Sequence, residues 1–243
     1  MPLESRLLNN SFACEILGLR LWERQHENTI DELHALWGRH PVLVFRRQAL
    51  SENELADFSA CFGLLERTVR TDWASPVRPE VGLISNLKDA QAKPIGGLGD
   101  GEIQWHSDQS YMLNPATGAM LYALELPPEG GATSWVDLCA AYTGLPERLR
   151  CAVEGKHAVF SYIKRLAGYQ DVDRVISEEA KRKTPPILHP LVHTHPVTGR
   201  KALYLDSTTT VGINGMDEAS GVALLAEIYE LSLIHISEPT RPY

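Results

Sequence analysis

Ala119-Met120-Leu121-Tyr122-Ala123-Leu124-Glu125-Leu126 puts Met120, Tyr122, Leu124 and Leu126 at alternate positions, the two-residue period of a strand with one face toward a core. Working outward from it, Thr133 to Val136 continues as a short strand, and Val81 to Ser85 is a candidate strand upstream. Val42 to Phe45, just after Pro41, reads as a strand buried on both faces, and Lys156 to Tyr162, Ile187 to Thr194 and Lys201 to Leu205 read as further strands. Pro196 to Arg200 joins the last two as a hairpin-like turn. Helices are fewer. Thr29 to Glu32 has capping-box spacing before a helix over residues 30 to 38, Ser51 to Glu54 caps another that carries Leu55, Phe58 and Phe62 to Gly63, and Pro146 opens a third. Many short strands under a few covering helices predict a mainly β protein, a double-stranded β-helix or jelly roll.

With 243 residues the chain is long enough for one sizeable core in a single domain. Its net charge of −8 argues against a nucleic acid or an anionic membrane as the main partner, while leaving room for an anionic substrate in a locally basic pocket. Cys14, Cys61, Cys139 and Cys151 form no Cys-x-x-Cys pair, so they read as reduced thiols rather than a zinc knuckle or redox dithiol. The N-terminus lacks the apolar core of a signal peptide and no run approaches a membrane span, which predicts a cytoplasmic protein.

Trp105-His106-Ser107-Asp108 carries the chemistry. On an extended backbone His106 and Asp108 point to one side, an imidazole and a carboxylate that would supply two ligands of a 2-His-1-carboxylate iron site. The pair alone also fits an ordinary surface loop. Before it runs Ile95-Gly96-Gly97-Leu98-Gly99-Asp100-Gly101, read as a mobile loop leading into the motif; a phosphate loop is rejected because the Walker lysine and a following helix are missing. Lys164 to Pro186 is a long polar excursion of the kind that lids a site or merely crosses the surface. His189, His193 and His195 have a spacing that zinc sites use, but they read as structural.

The block from Trp105 through Leu126-Pro127-Pro128-Glu129-Gly130-Gly131-Ala132-Thr133 resembles the TauD/TfdA-like family of taurine and 2,4-dichlorophenoxyacetate dioxygenases, which use a Trp-His-(Ser/Thr)-Asp motif followed by Leu-Pro-x-x-Gly-Gly-x-Thr. Val42 to Arg46, Phe62-Gly63, Leu188 to Pro196 and Gly199 to Tyr204 follow in the family's order, so that the resemblance spans about residues 15 to 230. It implies a jelly roll that binds Fe(II) through His106 and Asp108, takes 2-oxoglutarate and O2 as co-substrates, and hydroxylates a small, anionic organic molecule with release of succinate and CO2. Thr133 would donate its hydroxyl to the far carboxylate of 2-oxoglutarate. Where taurine enzymes have a sulfonate-contacting His after the Phe-Gly pair, this chain has Glu66-Arg67-Thr68, which puts taurine in doubt. Arg67 or Arg70 would suit a carboxylate or sulfonate, or stand on the surface. Asp206 to Thr210 falls where the family's substrate and lid residues gather, without an assignable role. The partners expected are a small-molecule substrate and no nucleic acid or membrane, with a homo-oligomer left open.

The family's second His and its 2-oxoglutarate arginine are expected after a helix that Asp217 to Glu230 begins. Instead, Leu231 to Arg241 reads in frame as the translation of a transposase-based sequencing adapter. Residues 1–230 are therefore expected to be a C-terminally incomplete dioxygenase domain, inactive by itself, and 231–243 a non-native, poorly ordered tail whose His235 is no ligand. A non-catalytic jelly-roll binding module and a metal-dependent hydrolase are the rival readings.

Overall fold

The computed structural model describes residues 3–8, 12–67, 73–97, 102–167, 182 and 184–237. It divides into two compact units, one built from residues 1–101 and 120–133, the other from 102–119 and 134–238, with 239–243 grouped with the first.

In the first unit β1 (Ser5–Leu7) runs antiparallel to β2 (Ala13–Ile16), and β2 pairs in parallel with β3 (Val42–Phe45). Parallel neighbours need a crossover, and α1 (Glu27–Arg39) lies in that connection. Its start differs from the expected one: His26, not Thr29, is the N-cap, because the Glu32 carboxylate accepts the Leu3 backbone N–H at 2.7 Å instead of completing a capping box. β2 is buried along its length, Glu15 included, and that carboxylate is matched by Arg6 at 2.8 Å and Arg46 at 3.2 Å. β3 is half-buried rather than covered on both faces.

α2 (Glu52–Ser59) begins with the expected capping box: Ser51 Oγ accepts the Glu54 N–H and the Glu54 carboxylate accepts the Ser51 N–H. A 3-10 turn extends it to Phe62, and Gly63 ends it. Cys14, Ile16, Leu21, Leu33, Leu50 and Phe58 close this unit's core.

Two expected strands do not form. Val81 to Ser85 makes only an isolated bridge, Gly82 to Ala74. Ala119 to Leu126 has no ladder, although its alternation holds where it counts: Met120 and Tyr122 pack on the core, and Tyr122 Oη accepts the Leu50 N–H at 3.0 Å while donating to the Gln48 carbonyl. Leu124 and Leu126 are exposed. In the described part of the glycine-rich lead-in, Ile95 N–H bonds Leu87 O and Gly97 N–H bonds Leu83 O.

The second unit centres on an antiparallel sheet in the order β6 (Ile187–Pro190), β5 (His157–Phe160), β9 (Thr210–Ile213). β7 (Val192–Thr194) and β8 (Lys201–Leu203) form the expected hairpin, whose turn is capped by His195 Nδ1 accepting the Val197 and Thr198 N–H groups. β4 (Trp135–Val136) leads into α3 (Leu138–Gly144), capped by Asp137, and α4 (Glu147–Val153), with Pro146 at its N-cap. α5 (Tyr162–Ala167) follows β5. Leu149, Val153, Phe160, Leu191, Leu203, Ile213, Leu225 and Ile228 form the core, each fully buried apolar side chain contributing about 1.5–3 kcal/mol.

α6 (Glu218–Ser232) starts at the Asp217 N-cap and overruns Glu230. Its apolar spacing continues, so that Leu231 packs against the core with Leu224 and Ser232 is buried. After a 3-10 turn, β10 (Ile236–Ser237) pairs with β4. Residues 231–237 are thus regular, against the expectation of a disordered tail, while 238–243 lie outside the described residues.

Candidate metal centre

His106 stands in irregular chain and Asp108 opens the turn that follows, so neither is on a strand. Gln109, at φ 55°, turns the backbone immediately after Asp108. The expected convergence survives by another route. His106 Nδ1 donates to the Gln104 carbonyl at 2.8 Å, which orients the ring so that Nε2 lies 3.3 Å from Asp108 Oδ1.

Without a metal the two side chains favour a shared proton. The Asp108 carboxylate raises the His106 pKa against the effect of burial, and His106 lowers that of Asp108. Arg165, on α5, bears on both by Coulombic attraction and repulsion, lowering each.

The donor set fits a divalent metal ion. Tying Nδ1–H to a carbonyl leaves the Nε2 lone pair to the ion, an arrangement that metal-binding histidines use, and the exposed carboxylate adds a hard oxygen donor beside it. Among the described residues no group of His, Cys, Asp and Glu side chains large enough for a complete metal cage gathers.

Thr133 is exposed, two residues before β4, after Gly130 and Gly131, both at positive φ. It falls in the first unit and the His106–Asp108 pair in the second. Arg67 is exposed, and Thr68 and Arg70 lie outside the described residues, as does most of the 164–186 excursion. His189 is buried and its Nε2 donates to the Met112 carbonyl at 2.9 Å, while the His193 ring packs 4.5 Å from that of Tyr204. Both act as structural groups.

The family model "Taurine catabolism dioxygenase TauD, TfdA family" matches residues 4–234. The chain belongs to this family. It is 33% identical over 238 residues to an alpha-ketoglutarate-dependent 2,4-dichlorophenoxyacetate dioxygenase of Cupriavidus pinatubonensis, covering 95% of this chain and 82% of that one. It is also 32% identical to the pentalenolactone F synthase of Streptomyces avermitilis, over 93% of this chain and 78% of that protein. Among solved structures it resembles one from Burkholderia xenovorans assigned as an alpha-ketoglutarate dependent 2,4-D dioxygenase, with a TM-score of 0.76, 29% identity, and coverage of 98% and 83% of the two chains. The fold is accordingly the family's jelly roll, and the family's enzymes are dioxygenases that use Fe(II), 2-oxoglutarate and O2.

Nothing local in the sequence marks Arg165, and Asp206 to Thr210 stood out there without an assignable role; the fold brings each into the neighbourhood of the pair.

Proposed function

We propose that the dioxygenase to which this chain belongs hydroxylates a small organic anion, with His106 and Asp108 as iron ligands and Thr133 donating to the far carboxylate of 2-oxoglutarate, and that residues 1–230 by themselves are inactive. When bound, iron supplies the centre at which 2-oxoglutarate is decarboxylated and O2 reduced. The observation that carries the assignment is the pairing of Nε2 and Oδ1 at 3.3 Å with Nδ1 occupied by a backbone carbonyl, in a chain of this family. His106 contributes a fixed tautomer, Asp108 the negative charge that favours a cation, and Arg165 local positive charge for an anionic substrate in a chain whose net charge is −8. The family match favours neither a hydrolase nor a binding module.

The domain proposed is residues 1–230, with 231–243 adapter-derived, and the setting is cytoplasmic, where the four free cysteines belong. No helix among the described residues is long and apolar enough to cross a membrane.

The test is anaerobic Fe(II) binding by the wild-type chain, His106→Ala and Asp108→Ala, followed by an assay for succinate with aryloxyacetates as substrates. Exogenous imidazole is added in one arm to supply a further nitrogen ligand. Binding weakened at least about tenfold in both variants supports the assignment; unchanged binding removes the pair from the site. Succinate formation that needs O2 and 2-oxoglutarate supports the reaction. Hydrolysis of an ester or phosphate without either would overturn it.

A further inference from the structure

Because His106 and Asp108 do not sit on a strand, something other than a β ladder must hold them in place. The segment between β8 and β9 supplies it. Ser207 Oγ donates to the Trp105 carbonyl at 3.0 Å, one residue before His106. Ser110 Oγ, two residues after Asp108, is fully buried and donates to Asp206 Oδ2 at 2.7 Å, the same oxygen that takes the Thr209 hydroxyl at 2.6 Å. Asp206 Oδ1 in turn accepts the Thr208 N–H, the Thr208 hydroxyl and the Thr209 N–H at 2.7–2.8 Å, and its own N–H donates to Thr210 Oγ1. The carboxylate is therefore buried and saturated, with a fixed direction in which it can hold Ser110.

That segment is itself anchored. The Ser161 N–H bonds the Thr209 carbonyl at 2.9 Å, where the β5–β9 register shifts between Val159 and Phe160, and the Lys164 ammonium donates to the Thr210 carbonyl at 2.6 Å. A bulge of this kind redirects a strand end. Here it delivers the 206–209 turn to both flanks of the metal motif.

We propose that Asp206, Ser207 and Thr209, through Ser110 and the Trp105 carbonyl, are positioning residues that clamp the His106–Asp108 pair in its metal-binding geometry. The proposal rests on the metal reading above. Buried polar groups that orient ligands from behind govern metal affinity by tenfold or more without touching the ion.

The test uses Ser207→Ala, which deletes only the Trp105 bond, and Ser110→Ala, which deletes one donor to Asp206 together with the 2.8 Å contact to the Thr209 hydroxyl, with Ser110→Thr as the conservative partner. Two readouts are taken on each: hydrogen exchange of the metal-free protein, resolved by segment, and anaerobic Co(II) affinity. The clamp requires that both alanine variants speed exchange over residues 105–112 while leaving the β7–β8 hairpin unchanged, and that Co(II) affinity falls about tenfold with the thermal midpoint within about 4 °C of wild type. Ser110→Thr, which keeps the hydroxyl, should recover most of the affinity. Exchange at 105–112 that does not change in either alanine variant overturns the clamp whatever the metal does. Faster exchange without loss of Co(II) affinity shows a merely structural turn and also overturns it. If His106→Ala binds Co(II) as tightly as wild type, the metal reading fails instead, a result that the exchange data keep separate.

Discussion

Gly97 leaves no room for a side chain: a β-carbon added there would fall 1.8 Å from the Trp73 ring. Gly97→Ala should therefore push the Trp73 ring or the loop aside at a cost of about 1–3 kcal/mol, read as a lowered denaturant midpoint. The glycines of this stretch were legible as special, but as mobility rather than close packing, because sequence shows the missing side chain and not the ring that fills its place. His193 gives the pH dependence. Burial lowers its pKa, its ring faces His189 and Tyr204, and Nε2 is buried without a hydrogen-bond partner among the described residues. Since the folded pKa lies below the unfolded value of about 6.5, the unfolded chain binds the proton more readily. The stability that a neutral His193 permits is present above that pH and is lost as pH falls through the folded value. His193→Gln should flatten the decline in thermal midpoint below about pH 6.5; an unchanged slope would place the acid sensitivity elsewhere.

Elements whose ends carry side-chain caps were the most readable. Ser51 and Asp217 cap helices where expected, because a cap is a local interaction written within three or four residues, while Pro146 marks its helix start by its fixed φ and not by a side-chain bond. Ser51→Ala, which removes the Oγ acceptor for the Glu54 N–H, should cost about 1 kcal/mol in chemical denaturation. Strands were read less well for a physical reason. Alternation states which face is apolar but not which chain will supply hydrogen bonds, so Met120 and Tyr122 turn inward as expected and still join no ladder. The same limit left the turn around Asp206 without a role, since its bond to Ser110 spans 96 residues. His106 and Asp108 converge as the sequence suggests, but not through a pleated backbone: the His106 ring is aimed by a carbonyl two residues away.

At the scale of the molecule, each unit closes a core of its own, with Leu33 fully buried in one and Leu149 in the other. Each Leu→Ala substitution should cost about 2–5 kcal/mol, and the double variant should equal their sum within about 0.5 kcal/mol. A larger discrepancy in denaturant titration would show that the cores are energetically coupled. The composition of those cores also sets an order of events during synthesis. The first needs nothing later than Tyr122, so its residues are all available when half the chain has been translated. The second needs Leu225 and Ile228, and Phe160 must wait for a helix that emerges nearly seventy residues behind it. A nascent chain would thus carry one closed core while the half with His106 and Asp108 still exposes its apolar residues, and it is that half which a holding chaperone would meet on the ribosome.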